Sequence, residues 1–302
     1  CWSVWTTAEV ESPLKPWIRL YQVKEIPSAH PIANASDGNY LRTEPGLFPD
    51  LLQPINDGKL RVELGRWNAI WVEISSDAET PAGEFPVTLT LTEGEGEAIR
   101  TLTLETRVEV IPAVLPDQEL IRTEWFHGDC VADYYHVEVF SEEHWELLRK
   151  QIACAAEYGV NMLLTPVFTQ PLDTAVGGER TTIQLVDVAR NNGVYSFGFD
   201  KLDRWVRMCR ECGIQYFEIA HLYTQWGAEH CPKIMATVDG EYRRIFGWDT
   251  EATGEDYRAF LAAFLPDRTY FQLMRYERYG MLLLIFLSVR GVGGGVISAV
   301  IN

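Results

Sequence analysis

Positive charge is what this 302-residue sequence has least of. Its 26 Lys and Arg stand against 43 Asp and Glu, a formal net charge of −17. A surface of that sign repels phosphates, so no nucleic-acid partner is expected, while neutral or cationic ligands stay open. Long apolar runs are missing too. The longest, Met281 to Val289, is followed by Arg290 and falls short of the roughly 20 residues a membrane span needs, so no membrane partner is expected. Cysteine is present but unpatterned: Cys1, Cys130, Cys154, Cys209, Cys212 and Cys231 are scattered, unlike a disulfide scaffold. Cys209 and Cys212 form a lone CxxC inside the helical pattern FDKLDRWVRMCREC, and no second CxxC or HxxxH completes a tetrahedral set. We therefore expect no metal and no cofactor, with the thiols as small buried residues of a reducing compartment. No signal peptide is visible, and the sequence starts at Cys1 instead of Met. An incomplete N-terminus is expected, and the compartment stays undetermined.

What is there is globular. Hydrophobic residues make up 47% and charged residues 23%, enough for two cores in a chain of this length. Ten Trp residues either line a carbohydrate cleft or fill those cores. Residues 1–115 read as β. WIRLYQV, KLRVEL, AIWVEIS, FPVTLTLT and TLTLETRVEVI are short runs rich in β-branched and aromatic residues, separated by turn signals such as Asn56-Asp57-Gly58 and Pro81-Ala82-Gly83. FPVTLTLTEGEGEAIRTLTLETRVEV reads as a hairpin with a wet acidic tip. Strands without intervening helices predict a β-sandwich. PIANASDGNYLRTEPGLFPDLLQPIND, residues 31–57, reads as a long irregular insertion.

From Pro112 to Asp117 the pattern changes. LIRTEWFH is an apolar run, and SEEHWELLRKQIACAAEYG is a helix with Ser141 as N-cap, Glu142 and Glu143 in its first turn and Gly159 at its end. VNMLLTPVF is the next strand. A long loop over residues 170–198 follows, with a small hairpin expected in its middle. FDKLDRWVRMCRECG is the next helix, GIQYFEIAH a third strand, and TGEDYRAFLAAFLP a helix led by Thr253. Strand–helix alternation of this kind implies a parallel sheet, so residues 116–271 read as the first part of a (β/α)8 TIM barrel. The overall class is β plus α/β.

The chain is organised around residues 213–248. After the third strand, His221, Tyr223, Gln225, Trp226, His230 and Lys233 fall within about a dozen residues, with Gly227 allowing a tight turn. Hydrogen-bonding groups mixed with flat aromatics at a strand end suit a sugar, whose C–H faces stack and whose hydroxyls need directional partners. The plainer alternative makes Trp226 and Trp248 core and His221 a satisfied buried histidine. Taken as a set, the candidate contacts are Trp125, His127 and Asp129 after the first strand and Thr165 after the second. His221, Gln225 and Trp226 follow the third, with Trp248 further on. Glu218, inside its strand, is expected to be a structural hydrogen-bonder facing the barrel interior.

EWFHGDC, LLTPVFTQPLDTAVGGER, QLVDV, YFEIAHLYTQWGAEHCPKI and RRIFGW resemble the glycoside hydrolase family 123 group and its bacterial DUF4091 relatives. The similarity extends over most of residues 1 to about 271, with PGLFPD and TPAGEFPV in the front part. The resemblance implies a β-sandwich followed by a (β/α)8 catalytic barrel. It also implies hydrolysis of β-linked N-acetylhexosaminides, notably N-acetylgalactosaminides, assisted by the sugar's own acetamide. In that chemistry an Asp orients the acetamide and a neighbouring Glu protonates the leaving oxygen, a departure from the two-separated-carboxylates scheme. The pair belongs after the strand that starts at Thr269-Tyr270-Phe271, yet no Asp-Glu dipeptide occurs in the sequence. Catalytic residues are therefore absent from this reading, and the expectation is an inactive chain, with a non-catalytic carbohydrate-binding fragment or a truncated product without function as alternatives. The tail over residues 272–302, apolar and Gly-rich, reads as an out-of-frame product. Leu273-Met274-Arg275 encoded as CTG-ATG-AGR contains GAT-GAG, Asp-Glu, in a shifted frame.

Overall fold

A computed structural model describes residues 3–29, 38–40, 42–94, 99–172, 174–224 and 227–269. The expected aberrant tail, the acidic hairpin tip, Gln225 and Trp226 lie outside the described residues. The chain divides into two compact units, Cys1–Asp117 and Gln118–Asn302.

Among its described residues the first unit contains seven strands: β1 (Ser3–Glu11), β2 (Ile18–Ser28), β3 (Gly46–Pro54), β4 (Lys59–Glu63), β5 (Ala69–Ile74), β6 (Gly83–Glu93) and β7 (Arg100–Val110). They form two antiparallel sheets, ordered β4-β1-β6-β7 and β3-β2-β5. In β1, Thr6, Ala8 and Val10 are buried while Trp5, Thr7 and Glu9 face out, the period-two pattern of a strand covered on one side. Ala8, Val10, Leu60, Val87 and Leu89 of the first sheet meet Ile18, Leu20, Ile70 and Ile74 of the second in one apolar cluster. Gly58 turns the chain between β3 and β4 at φ +69°, where a side chain would also sit 3.3 Å from the Ala8 carbonyl oxygen.

Part of the expected insertion is a correction: residues 46–54 are strand β3, paired along β2. Two prolines, Pro49 and Pro54, disguise it. Pro is tolerated here because β3 is an edge strand, and the register shifts at Lys24/Glu25, opposite Pro49.

In the second unit, β8 (Thr123–Glu124), β9 (Met162–Thr165) and β12 (Tyr216–Ile219) form a parallel sheet in the order β12-β9-β8. Between β8 and β9 come helices α1 (Gly128–Tyr135) and α2 (Glu142–Glu157), and α3 (Asp200–Glu211) precedes β12. Trp145, Leu148 and Ile152 of α2 recur at helical spacing and pack with Trp205, Met208 and Cys209 of α3 against Leu163. The Ser141 hydroxyl accepts from the His144 N–H at 3.2 Å, and Gly159, at φ +86°, follows the helix end.

A second sheet, ordered β11-β10-β13-β14, is built from two hairpins: β10 (Asp187–Asn191) with β11 (Val194–Gly198), and β13 (Ile234–Val238) with β14 (Glu241–Phe246). Helix α4 (Glu255–Phe264) places Tyr257, Phe260 and Leu261 in the core with Phe168, Val186, Ile234 and Phe246. Two expectations change here. The hairpin in the 170–198 segment lies at its end, not its middle. The second hairpin occupies residues 234–246, a stretch to which the sequence pattern assigned no element. Helix α4 is capped by Gly254 with no side-chain bond, so Thr253 does not serve as its cap. Among the described residues the parallel sheet has three strands and no closed barrel is formed. No described helix is long and apolar enough to cross a membrane.

His144, fully buried, ties the start of α2 to α1. The Phe140 N–H donates to its Nδ1 at 3.0 Å, so Nε2 carries the proton and donates to the Gly128 carbonyl at 2.9 Å. Burial holds its pKa below the ordinary 6.5, against the opposing pull of the Gly128 carbonyl and Asp129. The unfolded chain then binds a proton that the folded chain refuses. The His144 contribution to stability is complete above about pH 6.5 and is lost as pH falls towards the depressed folded value. Urea midpoints should therefore fall more between pH 7 and pH 5 for the native sequence than for His144→Gln; equal falls would contradict this.

Candidate functional site

Because β8, β9 and β12 run parallel, their C-terminal ends open on one edge of the sheet, and the chain leaves that edge at Trp125, Thr165 and Ala220. Trp125 is 47% exposed, and His221 meets it edge-on, ring centroids 5.5 Å apart at 83°. These two residues, 96 positions apart by number, are one aromatic corner. Leu163 and Phe217 face the α2–α3 cluster, so alternation sets Leu164 and Glu218 on the opposite face of the sheet. There Glu218 accepts from the Thr123 hydroxyl at 3.2 Å, linking the outer two strands across β9.

Thr165 is buried, and its hydroxyl donates to the Leu163 carbonyl at 3.4 Å. Its own carbonyl accepts from the Ala220 N–H at 3.0 Å, fastening the end of β9 to the end of β12. His127 stands at the N-cap position of α1, with its Nδ1 3.2 Å from Gln170 Nε2. Gly128 lets that helix begin tightly, since a Cβ there would come within 2.6 Å of Ile183 Cδ1.

Asp129 lies in the first turn of α1, only 2% exposed. Arg180 Nε donates to its Oδ2 at 2.7 Å, while the other guanidinium nitrogens reach the Leu172 carbonyl at 3.0 Å and Cys130 Sγ at 3.1 Å. The segment carrying Arg180 is clamped on its other side as well. Glu179 accepts from Lys233 at 3.1 Å and Arg244 at 2.7 Å, and these cations, Lys233 first, hold its carboxyl below the usual range. Arg244 also pairs with Asp249 at 2.7 Å. Half-buried Trp248 donates its indole N–H to the Gly178 carbonyl at 2.8 Å and lies beside the His230 ring.

The candidate residues thus fall into two groups: Trp125 and His221 form the open corner, and His127 and Asp129, at the start of α1, are tied to the loop after β9 through Gln170 and Arg180. Trp248 braces the same loop at Gly178. Gln225 and Trp226 are outside the described residues. Sequence reasoning singled out neither Gln170, Glu179 nor Arg180, and Lys233 entered only as one polar residue of the central stretch. The GGER run, residues 177–180, was the available signal.

No group of three or more His, Cys, Asp or Glu among the described residues is arranged to hold a metal ion. The CxxC has a further obstacle. Burial pushes the Cys209 thiol up to about 12, far from the thiolate a metal requires, and Cys212 is raised in the same direction.

Comparison with solved structures finds 13 matching chains. Among them is a family 123 glycoside hydrolase from Clostridium perfringens, described for the details of glycolipid glycan hydrolysis, with a TM-score of 0.66 at 16% identity. The match covers 91% of this chain and 48% of that one, so the present chain spans about half of its length. At that identity the likeness is one of fold. Comparison with curated proteins returns no match. The family model "Glycoside hydrolase 123, catalytic domain" matches residues 125–275, half of the 302, and begins at the tryptophan of the open corner. The chain belongs to glycoside hydrolase family 123.

Proposed function

We propose that this chain holds the sugar-recognition part of a hydrolase for β-linked N-acetylhexosaminides, of the N-acetylgalactosaminide type. In this reading residues 1–115 are a β-sandwich and residues 116–271 the first part of a (β/α)8 barrel. Two antiparallel sheets around one apolar cluster support the former, and three parallel strands alternating with helices support the latter. The observation that carries the functional reading is the Trp125–His221 corner at the C-terminal edge of the parallel strands, the edge from which barrel enzymes work. Trp125 offers an open ring for a pyranose C–H face. His127 and His221 supply directional hydrogen bonds, and Gln225 and Trp226 are proposed as contacts from their place in the sequence alone. Asp129, Thr165 and Trp248 act by fixing the chain ends around the ligand. No cofactor is needed for this chemistry.

A second reading is favoured by one observation: no Asp-Glu dipeptide occurs in the 302 residues, and acetamide-assisted cleavage needs that pair. As it stands the chain binds the sugar without cleaving it. Incubation with p-nitrophenyl β-N-acetylgalactosaminide should release no nitrophenol above the buffer rate, and turnover would overturn the non-catalytic reading. The coding DNA gives an independent check. Codons CTG-ATG-AGR at residues 273–275, followed by a family-like continuation in the shifted frame, are the expected result. A CGN codon for Arg275 rules the frameshift out.

A further inference from the structure

The sheet ordered β4-β1-β6-β7 ends on β7, whose outer side meets no strand among the described residues. Its eleven residues, RTLTLETRVEV, carry no proline, and its pairing with β6 runs from Arg100 to Val110 without a register shift. An unbroken edge of that length templates a further strand. The register on β6 sets Leu102 opposite Leu91, Leu104 opposite Leu89 and Val108 opposite Phe85, so all three lie on the face turned to the second sheet. Val108 joins the apolar cluster there, whereas Leu102 and Leu104 are 55% and 51% exposed. The inner face of the sheet outruns the three strands that cover it.

The residue order of β7 says which strand fits. Two copies paired antiparallel about a two-fold axis keep their inner faces on one side only if the axis passes at a residue, because a half-step sets inner against outer. Centred on Glu105, the register opposes that carboxylate to itself. Centred on Arg107, it opposes Arg107 to Arg107 and Glu105 to Glu109. Centred on Leu104, it forms no ion pair and sets Leu102 against Thr106. Centred on Thr106, every pairing agrees: Leu104 meets Val108 and Leu102 meets Val110 on the inner face, and Glu105 meets Arg107 on the outer face, each of them twice. Arg107 can take part, since its contact with Glu84 is 3.6 Å long and exposed at both ends.

We propose that β7 is the interface with a second copy of this chain, joined antiparallel with Thr106 on the axis so that the two four-stranded sheets become one. Backbone hydrogen bonds hold the join, the Leu–Val pairs extend each core past its cover, and the Glu105–Arg107 pairs fix the register.

Sedimentation equilibrium of the full chain at about 0.15 M salt, where repulsion between two acidic copies is screened beyond roughly 8 Å, should show a reversible dimer. Glu105→Arg opposes arginine to arginine across the join, and Arg107→Glu opposes glutamate to glutamate. Each alone should weaken dimerisation about tenfold or more. An equimolar mixture of the two variants should recover the native affinity, because each basic strand then faces an acidic one at both positions. Both substitutions in one chain should recover it as well. Unfolding midpoints that stay at the native value separate loss of the join from loss of fold. A native chain that stays monomeric overturns the proposal, as does a dimer indifferent to either single variant or a mixture that fails to recover.

Discussion

Asp129→Ala is expected to destabilise the second unit by about 3–5 kcal/mol, the range for removing one partner of a buried ion pair. The Asp129 side chain is 3% exposed and that of Arg180 12%, so the guanidinium left behind has little water to turn to. Its bonds to the Leu172 carbonyl and Cys130 Sγ keep it in place after the carboxylate is gone, which leaves the charge uncompensated instead of released. The loss should not be additive. Arg180→Met alone strands the Asp129 carboxylate, whose Oδ1 already has no partner, and the double variant should be more stable than the sum of the two single losses predicts. Urea unfolding of the four proteins, followed by a probe in the second unit, gives the cycle. A loss under about 1 kcal/mol for Asp129→Ala, the scale of an exposed ion pair, would show that the segment is held by its other anchors.

The second large effect is in the core. Phe260→Ala should cost about 3–5 kcal/mol through lost burial and the cavity left behind. Phe260 of α4 is completely buried and lies beside four rings from outside its own helix. Phe168 lies at 5.5 Å, Tyr195 at 5.3 Å, Phe197 at 5.8 Å and Phe246 at 5.2 Å between centroids. These rings come from the loop after β9, from β11 and from β14, so one side chain joins the helix to both hairpins. Phe260→Leu, which keeps most of the volume, should cost under about 1.5 kcal/mol. Equal losses for the two substitutions would mean that ring shape, not filled space, sets the stability here.

Local chemistry made much of this fold legible. KLRVE, AIWVEI and the long β6–β7 pair carry their alternation openly, and Ser141 with Glu142 and Glu143 announces α2. Other elements had signals that carry less conviction or were outweighed. β3 holds two prolines and reads as loop until its edge position is known. Both hairpins of the second sheet turn on the pairs that favour positive φ, Asn192-Gly193 at 49° and 82° and Asp239-Gly240 at 48° and 93°. The second follows directly on the polar and aromatic residues after β12, whose mixed pattern masks the start of its alternation.

The juxtaposition of Trp125 and His221 was legible from strand ends, because a parallel sheet delivers its C-terminal ends together whatever lies between them. Pairings that depend on a loop's return path were not legible. Asp129 and Arg180 stand 51 residues apart, and Gln170 and His127 43. No periodicity encodes such separations. Arg180 and Gln170 look like ordinary loop residues until burial shows that they have no water to satisfy them.

Calorimetric titration of the protein with methyl β-N-acetylgalactosaminide tests whether the Trp125–His221 corner is the sugar platform proposed above. Saturable binding is predicted, weakened about tenfold in Trp125→Ala through loss of the stacking face, with the unfolding midpoint of that variant unchanged because the ring is nearly half exposed. No heat of binding, or an affinity indifferent to Trp125→Ala, would contradict it.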